Sequence, residues 1–170
     1  MRRILVVGSP GAGKTVLAKR LTTALGLPLV HLDREFHLPG WVEPPHDEWV
    51  ARVKELIAGE EWVIDGNYGS TMELRLLRAD AAIFLDLPTL TCVVAVVGRV
   101  LRWRGRSRPE MAAGCPEHFE LEFLRYTFRF RRDTRPRVVE RLSRFDGEVV
   151  VLRSRRAVRR YLISPESTRR

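Results

Sequence analysis

The sequence predicts an open parallel α/β sheet with helices on both faces, spanning residues 1–170 as a single domain. Three observations predict it. Short apolar runs rich in β-branched residues alternate with segments of helical spacing from end to end. The turn after the first run is glycine-rich and opens straight into a helix. Three of the later runs end on an aspartate: Asp33, Asp65 and Asp86. Sheets of this kind bind ligands at the carboxyl ends of their strands. Gly8, Asp33, Asp65 and Asp86 are therefore expected on one edge.

Each element follows from local pattern. Arg3 to Val7 reads as a buried strand, Gly8 to Gly13 as a turn, and Thr15 to Leu25 as a helix stopped by Gly26 and Pro28. Leu29 to Leu32 is the second strand. Glu35 to Pro45, with Pro39, Gly40, Pro44 and Pro45, is a loop, after which Asp47 caps a helix to Ala58. Trp62 to Ile64 is a strand, Met72 to Arg78 a helix, and Ala81 to Leu85 a strand. Thr89 to Trp103 is a helix apolar on most sides, hence buried. Arg104 to Pro116 lacks periodicity and reads as a mobile lid. Helices follow at Glu117 to Arg132 and Pro136 to Arg144. Glu148 to Leu152 is the fifth strand and Ala157 to Ile163 the last helix, with frayed residues beyond it.

Composition narrows the function. Residues 1–95 carry 10 basic and 12 acidic side chains, residues 96–170 carry 20 and 9, and the sum is the net charge of +9. Only Lys14, Lys19 and Lys54 are lysines, so the surplus is guanidinium, suited to bidentate phosphate contact. An anionic partner is implied: nucleotide, nucleic acid or acidic surface. Two cysteines exclude a disulfide framework, and Cys92 and Cys115 read as packed residues. The apolar start is broken by Gly8, too soon for a signal peptide, and the longest apolar stretch falls short of the ~20 residues of a membrane span. A cytoplasmic protein without a membrane partner is expected. Nothing in the chain specifies an oligomeric state.

The strongest motif is Gly8-Ser9-Pro10-Gly11-Ala12-Gly13-Lys14-Thr15, a complete P-loop pattern between an apolar strand and a helix. Its glycines let backbone N–H groups wrap phosphates, and the helix adds its positive end. Lys14 suits the β- and γ-phosphates, and the Thr15 hydroxyl suits Mg²⁺. The fold class becomes a three-layer P-loop NTPase fold with a five-stranded parallel sheet and an arginine-rich lid, and the cofactors become ATP and Mg²⁺. A second acidic group is needed near the metal, and Asp33, Asp65 and Asp86 compete for it.

Phosphoryl transfer spreads negative charge that positioned cations stabilise. Arg99, Arg104 and Arg108, before and within the lid, are candidates, with Arg125 and Arg135 behind them. Trp41 and Tyr68, in loops beside strand ends, are candidates for touching an acceptor. His31, Asp33, His37 and His46 show no tetrahedral zinc spacing. No helix-turn-helix, zinc-finger or RNA-binding signature supports a nucleic-acid partner, and no Asn-Lys-x-Asp segment supports a switch GTPase.

Beyond the P-loop, the segments HLDREFHLPGW at 31–41, EWVIDGNYGSTMELRL at 61–76, IFLDLP at 83–88 and RWRGRSRPEMAAGCPEHFELEFL at 102–124 resemble the bacterial DNA topology modulation proteins, adenylate-kinase-like P-loop kinases. The resemblance implies the nucleoside-monophosphate-kinase fold. Asp65-Gly66 is similar to the Asp-Gly of adenylate kinases, where the aspartate supports the magnesium shell. Adenylate kinases continue with Phe-Pro-Arg, whereas this chain has Asn67-Tyr68-Gly69, so Asn67, Tyr68 and a substitute arginine, Arg75, are expected on the acceptor side. Asp33 is similar in placement to an acceptor-binding aspartate of shikimate and gluconate kinases. The function implied is a Mg-ATP-dependent kinase of a nucleotide, nucleoside or other small hydroxylated acceptor, in which Asp33 orients or deprotonates the acceptor and Arg104 and Arg108 close over the phosphoryl group. Its rivals are an NTP-binding regulator that binds nucleic acid through its basic second half, and an ATPase without an acceptor.

Overall fold

The structure, a computed structural model, describes residues 1–163. Five strands form one sheet: β1 (Arg3–Gly8), β2 (Leu29–His31), β3 (Trp62–Asp65), β4 (Ala81–Leu85) and β5 (Glu148–Leu152). All neighbours pair parallel, in the order β2-β3-β1-β4-β5. The helices are α1 (Lys14–Leu25), α2 (Leu32–Phe36), α3 (His46–Leu56), α4 (Met72–Arg78), α5 (Thr89–Trp103), α6 (Leu121–Asp133), α7 (Arg135–Ser143) and α8 (Arg155–Ile163).

Side chains alternate across a strand, so a strand covered on both faces must be apolar throughout. In β1, Ile4 and Val6 join one core with Leu17, Leu21, Cys92 and Tyr161, while Leu5 and Val7 join another with Trp49, Phe84, Phe130 and Leu142. The first core packs α1, α5 and α8 against the sheet, and the second packs α2, α3, α4, α6 and α7. That gives three layers. Cys92 is buried in the first core and Cys115 is buried in the lid. Among the described residues no helix is long and apolar enough to cross a membrane.

Register brings the functional edge together. Asp65 lies beside both Val6 and His31, and Gly8 lies beside Leu85, which pairs with Leu152. The ends of β1 to β4 therefore meet on one edge with Asp33, Asp65 and Asp86.

Some boundaries differ from the sequence pattern. β2 stops at His31, and Leu32–Phe36 forms the short helix α2, so Asp33 sits in a first helical turn rather than at a strand end. Leu32 and Phe36, one turn apart, both pack into the second core and hold that turn. Helix α3 begins at His46 after Pro45, with Asp47 inside its first turn rather than capping it. Residues 117–120 are not helical, because the backbone of Glu117 is paired with the lid. Helix α8 begins at Arg155, where Ser154 Oγ accepts the Ala157 N–H at 3.1 Å. The expected frayed end lies outside the described residues.

Candidate active site

The P-loop leaves β1 at Gly8 and enters α1 at Lys14. Its curvature needs glycine in two places. A Cβ on Gly8, at φ 148°, would meet the Leu85 carbonyl oxygen at 2.6 Å, and one on Gly11, at φ 75°, would meet that of Cys92 at 2.3 Å. Asn67 fixes the start of the loop. Its Nδ2 donates to the Gly8 carbonyl at 2.7 Å and its Oδ1 accepts the Gly8 N–H at 2.9 Å. Asn67, expected at the acceptor, thus spends its amide on the donor loop. Lys14 Nζ donates to the carbonyls of Gly8 at 3.1 Å and Ser9 at 3.2 Å. Burial lowers the Lys14 pKa, against the pull of Asp65 and Asp33.

Beside the loop, the Thr15 hydroxyl donates to Asp65 Oδ2 at 2.6 Å, and His31 Nδ1 lies 3.2 Å from the same oxygen. A hydroxyl and a carboxylate side by side at the loop's helical end are hard oxygen donors, and they fit a magnesium ion that keeps waters and phosphate oxygens as its other ligands. Asp86 is committed elsewhere. Both of its oxygens accept from Arg135, Nε to Oδ1 and Nη2 to Oδ2, each at 2.8 Å. That bidentate pair, buried on the Asp86 side and partly exposed at Arg135, ties the end of β4 to α7. It takes Asp86 out of the competition for the metal and Arg135 out of the lid.

A cavity of about 1080 Å³ opens from the P-loop toward α2, α4 and α7, and its lining includes Lys14, Thr15, Asp33, Asp65 and Tyr68. The Tyr68 hydroxyl donates to Asp33 Oδ1 at 3.0 Å, and burial followed by the Asp33 charge pushes the phenol pKa up. Trp41 and Tyr68, both lining the cavity, adopt left-handed backbone at φ 63° and 36°, the only such residues other than glycine among those described. Strain of this kind collects at functional sites. Phe36 packs on Tyr68 with ring centres 4.7 Å apart, and Trp41 meets His37 at 5.1 Å and His118 at 5.7 Å.

Arg75 does not reach the cavity. It is wholly buried, and its guanidinium donates to the backbone carbonyls of Gly66, Asn67, Tyr68 and Thr71. Burial brings its pKa down to about 9, with Arg141 adding to the effect. It shapes the loop after β3 and does not substitute for the missing acceptor arginine. The cavity's cations on that side are Arg137 and Arg141 of α7. Arg137 forms no ion pair among the described residues, and Arg141 Nε lies 3.4 Å from Glu73 Oε1. From sequence these two are ordinary members of a helix, and only its docking turns them toward the cavity.

Residues 104–116 form an irregular segment that crosses to the loop after α2. Gly40 N–H donates to the Gly114 carbonyl at 3.0 Å, Cys115 Sγ to Leu38 O at 3.3 Å, and Trp41 Nε1 to Pro116 O at 3.2 Å. Lys19 of α1 pairs with Glu110. Met111 and Cys115 are buried and pin the segment, where the sequence suggests little apolar anchoring. Arg99 and Arg108 line the cavity, whereas Arg104 and Arg125 are exposed and do not.

The parallel sheet, P-loop and lid define a P-loop kinase fold. A shikimate kinase from Acinetobacter baumannii, in complex with shikimate, matches with a TM-score of 0.62 and 18% identity over 97% of this chain and 90% of that one. A shikimate kinase from Aquifex aeolicus matches at 0.52 and 19% identity, over 97% and 96%. A gluconokinase from Sinorhizobium meliloti matches at 0.52 and 17% identity, over 98% and 94%. At these identities the likeness speaks for the fold. No protein-family model and no curated protein sequence matches the chain.

Proposed function

We propose that the chain is a phosphotransferase that uses ATP with Mg²⁺ and phosphorylates a small hydroxylated acceptor: a nucleotide, a nucleoside or a comparable alcohol. The observation that carries this function is the meeting of two chemistries in one cavity. The P-loop with its Thr15–Asp65 pair lines one part, and the Asp33–Tyr68 pair lines another. A loop that only hydrolysed or sensed nucleotide has no need of the second. The motif segments that resemble the DNA topology modulation proteins support a place within the adenylate-kinase-like group, and a cytoplasmic location accords with the use of ATP.

Bound Mg-ATP supplies the transferable phosphoryl group and the metal's charge. The loop amides and Lys14 hold the phosphates, with Asn67 keeping Gly8 in place. Thr15 and Asp65 hold the metal, directly or through water. Asp33, steadied by the Tyr68 hydroxyl, orients the acceptor hydroxyl and accepts its proton at a carboxylate oxygen. Arg99 and Arg108 face the charge that develops on the migrating group, in place of the sequence pairing of Arg104 with Arg108. The docked lid excludes water. Arg137 and Arg141 give the acceptor side a positive wall.

A transfer screen with γ-labelled ATP against nucleotides, nucleosides and sugar acids tests this function. A labelled acceptor is expected with the wild type and none with Lys14→Ala. Release of labelled phosphate at one rate whatever the acceptor would make the chain an ATPase instead.

One observation favours the nucleic-acid reading. Arg155, Arg156, Arg159 and Arg160 of α8 form no ion pair among the described residues. Weak binding to any DNA sequence, falling steeply with salt, would assign that face to charge alone.

A further inference from the structure

The two guanidiniums that reach the cavity from the lid side share one counter-ion. Glu117 is 4% exposed, and its Oε1 lies 3.2 Å from Arg99 Nε and 2.6 Å from Arg108 Nε. Neither Nε–H is aligned with that oxygen as a hydrogen bond. The contacts are therefore ionic, and the remaining N–H groups of both guanidiniums keep their donor capacity.

The three residues come from different parts of the chain. Arg99 stands on the rigid helix α5, Arg108 stands in the lid, and Glu117 closes the lid's base. The backbone of Glu117 is itself fixed. Its N–H donates to Arg106 O at 3.0 Å, and its carbonyl accepts from Gly105 N–H at 2.9 Å. The Arg99 guanidinium is also steadied over the Phe123 ring, 5.3 Å from its centre. Arg99 lies within electrostatic range of both Lys14 and Asp33, the donor and acceptor ends of the cavity.

Two guanidiniums that face each other in a partly buried place repel. A carboxylate set between them removes that repulsion while leaving their outer N–H groups uncommitted. We infer, on the phosphotransferase reading above, that Glu117 is a positioning residue: its carboxylate holds Arg99 and Arg108 together so that both face the phosphoryl group as it passes between Lys14 and Asp33. A lid contact of purely structural kind needs neither the second arginine nor the cavity position of all three side chains.

The test uses Mg-ADP with and without fluoroaluminate, which mimics the migrating phosphoryl group, with binding followed by calorimetry. The wild type is expected to bind Mg-ADP more tightly when fluoroaluminate is present. If it does not, phosphoryl transfer itself is wrong, whatever Glu117 does. Glu117→Gln keeps the shape and removes the charge. It is expected to weaken the fluoroaluminate complex about tenfold or more, the size of one lost charge-assisted hydrogen bond, and to leave Mg-ADP binding within about twofold. Equal weakening of both complexes, or of neither, would overturn the positioning role. Should Glu117→Gln fail to fold, Arg108→Gln is compared with the charge-balanced pair Arg108→Gln/Glu117→Gln. The pair is expected to bind the fluoroaluminate complex more weakly still, because Arg99 has lost its anchor. Equal binding by the two variants would show that Glu117 does not position Arg99.

Discussion

Replacing Arg75 by methionine separates two roles that an arginine near an acceptor site can play. The guanidinium donates to Gly66 O at 3.1 Å, Tyr68 O at 2.8 Å, Thr71 O at 3.3 Å and Asn67 O. Methionine fills much of the volume but withdraws the guanidinium from all four carbonyls, of which Tyr68 O keeps the Thr71 N–H at 3.1 Å and the Thr71 hydroxyl at 3.3 Å. Each buried carbonyl so deprived costs about 1–3 kcal/mol, and the regained desolvation of the guanidinium offsets several kcal/mol of the sum. A net loss of about 3 kcal/mol is expected, out of the roughly 5–15 kcal/mol of a typical domain. With a urea dependence of about 1–3 kcal/mol per molar, the unfolding midpoint should fall by roughly 1–2 M. The variant should still fold, since the sheet and both cores are untouched. Urea unfolding followed by tryptophan fluorescence measures the shift directly. A midpoint within about 0.3 M of the wild type, together with impaired acceptor phosphorylation, would refute the reasoning and return Arg75 to the acceptor.

Lys14→Ala should abolish detectable transfer with the unfolding midpoint little changed, and wild-type turnover in a folded variant would end the kinase assignment. Asp33→Asn should lower transfer far more than Mg-ATP affinity, and a calorimetric titration showing the reverse would move Asp33 to the metal. Asp65→Asn should raise the magnesium concentration needed for half-maximal activity, so an unchanged magnesium titration would exclude Asp65 from the metal shell. Asp80 tests pH linkage away from the site. Burial pushes its carboxyl up, but hydrogen bonds from the Arg3 guanidinium and the Arg2 and Arg3 N–H groups outweigh this and bring it to about 2, against an ordinary 3.8. Its stabilisation is therefore present above the ordinary value and lost as pH falls toward 2. Asp80→Asn should flatten the acid slope of stability between about pH 4 and 2, and an unchanged slope would show that other carboxylates set it.

The candidate donor half, the P-loop itself, was legible because its signals are local. Gly8 to Thr15 is contiguous, and the residue types that curve a phosphate-binding loop stand in the order the loop requires. Asp65 was legible because strand ends share an edge in any parallel sheet, and register then brings it to Thr15. The acceptor half rests on packing that no window along the chain displays. Arg75 and Arg141 are both arginines on short helices, yet one is driven inward to the carbonyls of the β3 loop and the other lines the cavity. The pairs Asp86–Arg135 and Glu117–Arg99 join residues 49 and 18 positions apart, and neither member carries a local signature. Helix α2 is missed for a related reason, since five residues are too few for a helical period to stand out from the strand before them.

The surplus of arginine in the second half of the chain therefore has several causes rather than one. Arg135 is neutralised by a buried aspartate and works as a brace. Arg99 and Arg108 share a single carboxylate and so keep a net positive charge at the cavity. Arg132 and Arg144 pair with acids on the surface, where such pairs contribute little to stability. Among the described residues, Arg137 at the cavity, Arg102, Arg104, Arg106, Arg125, Arg129, Arg131 and Arg153, and the arginines of α8 form no ion pair. A polyanion drawn to the protein by charge would meet a dense run of them at α8, where Arg155, Arg156, Arg159 and Arg160 share one helix. The guanidiniums around Glu117 are less exposed, 25% at Arg99 and 11% at Arg108, and they line the cavity. Net charge alone cannot separate those two groups, whereas the position of the carboxylates among the arginines does.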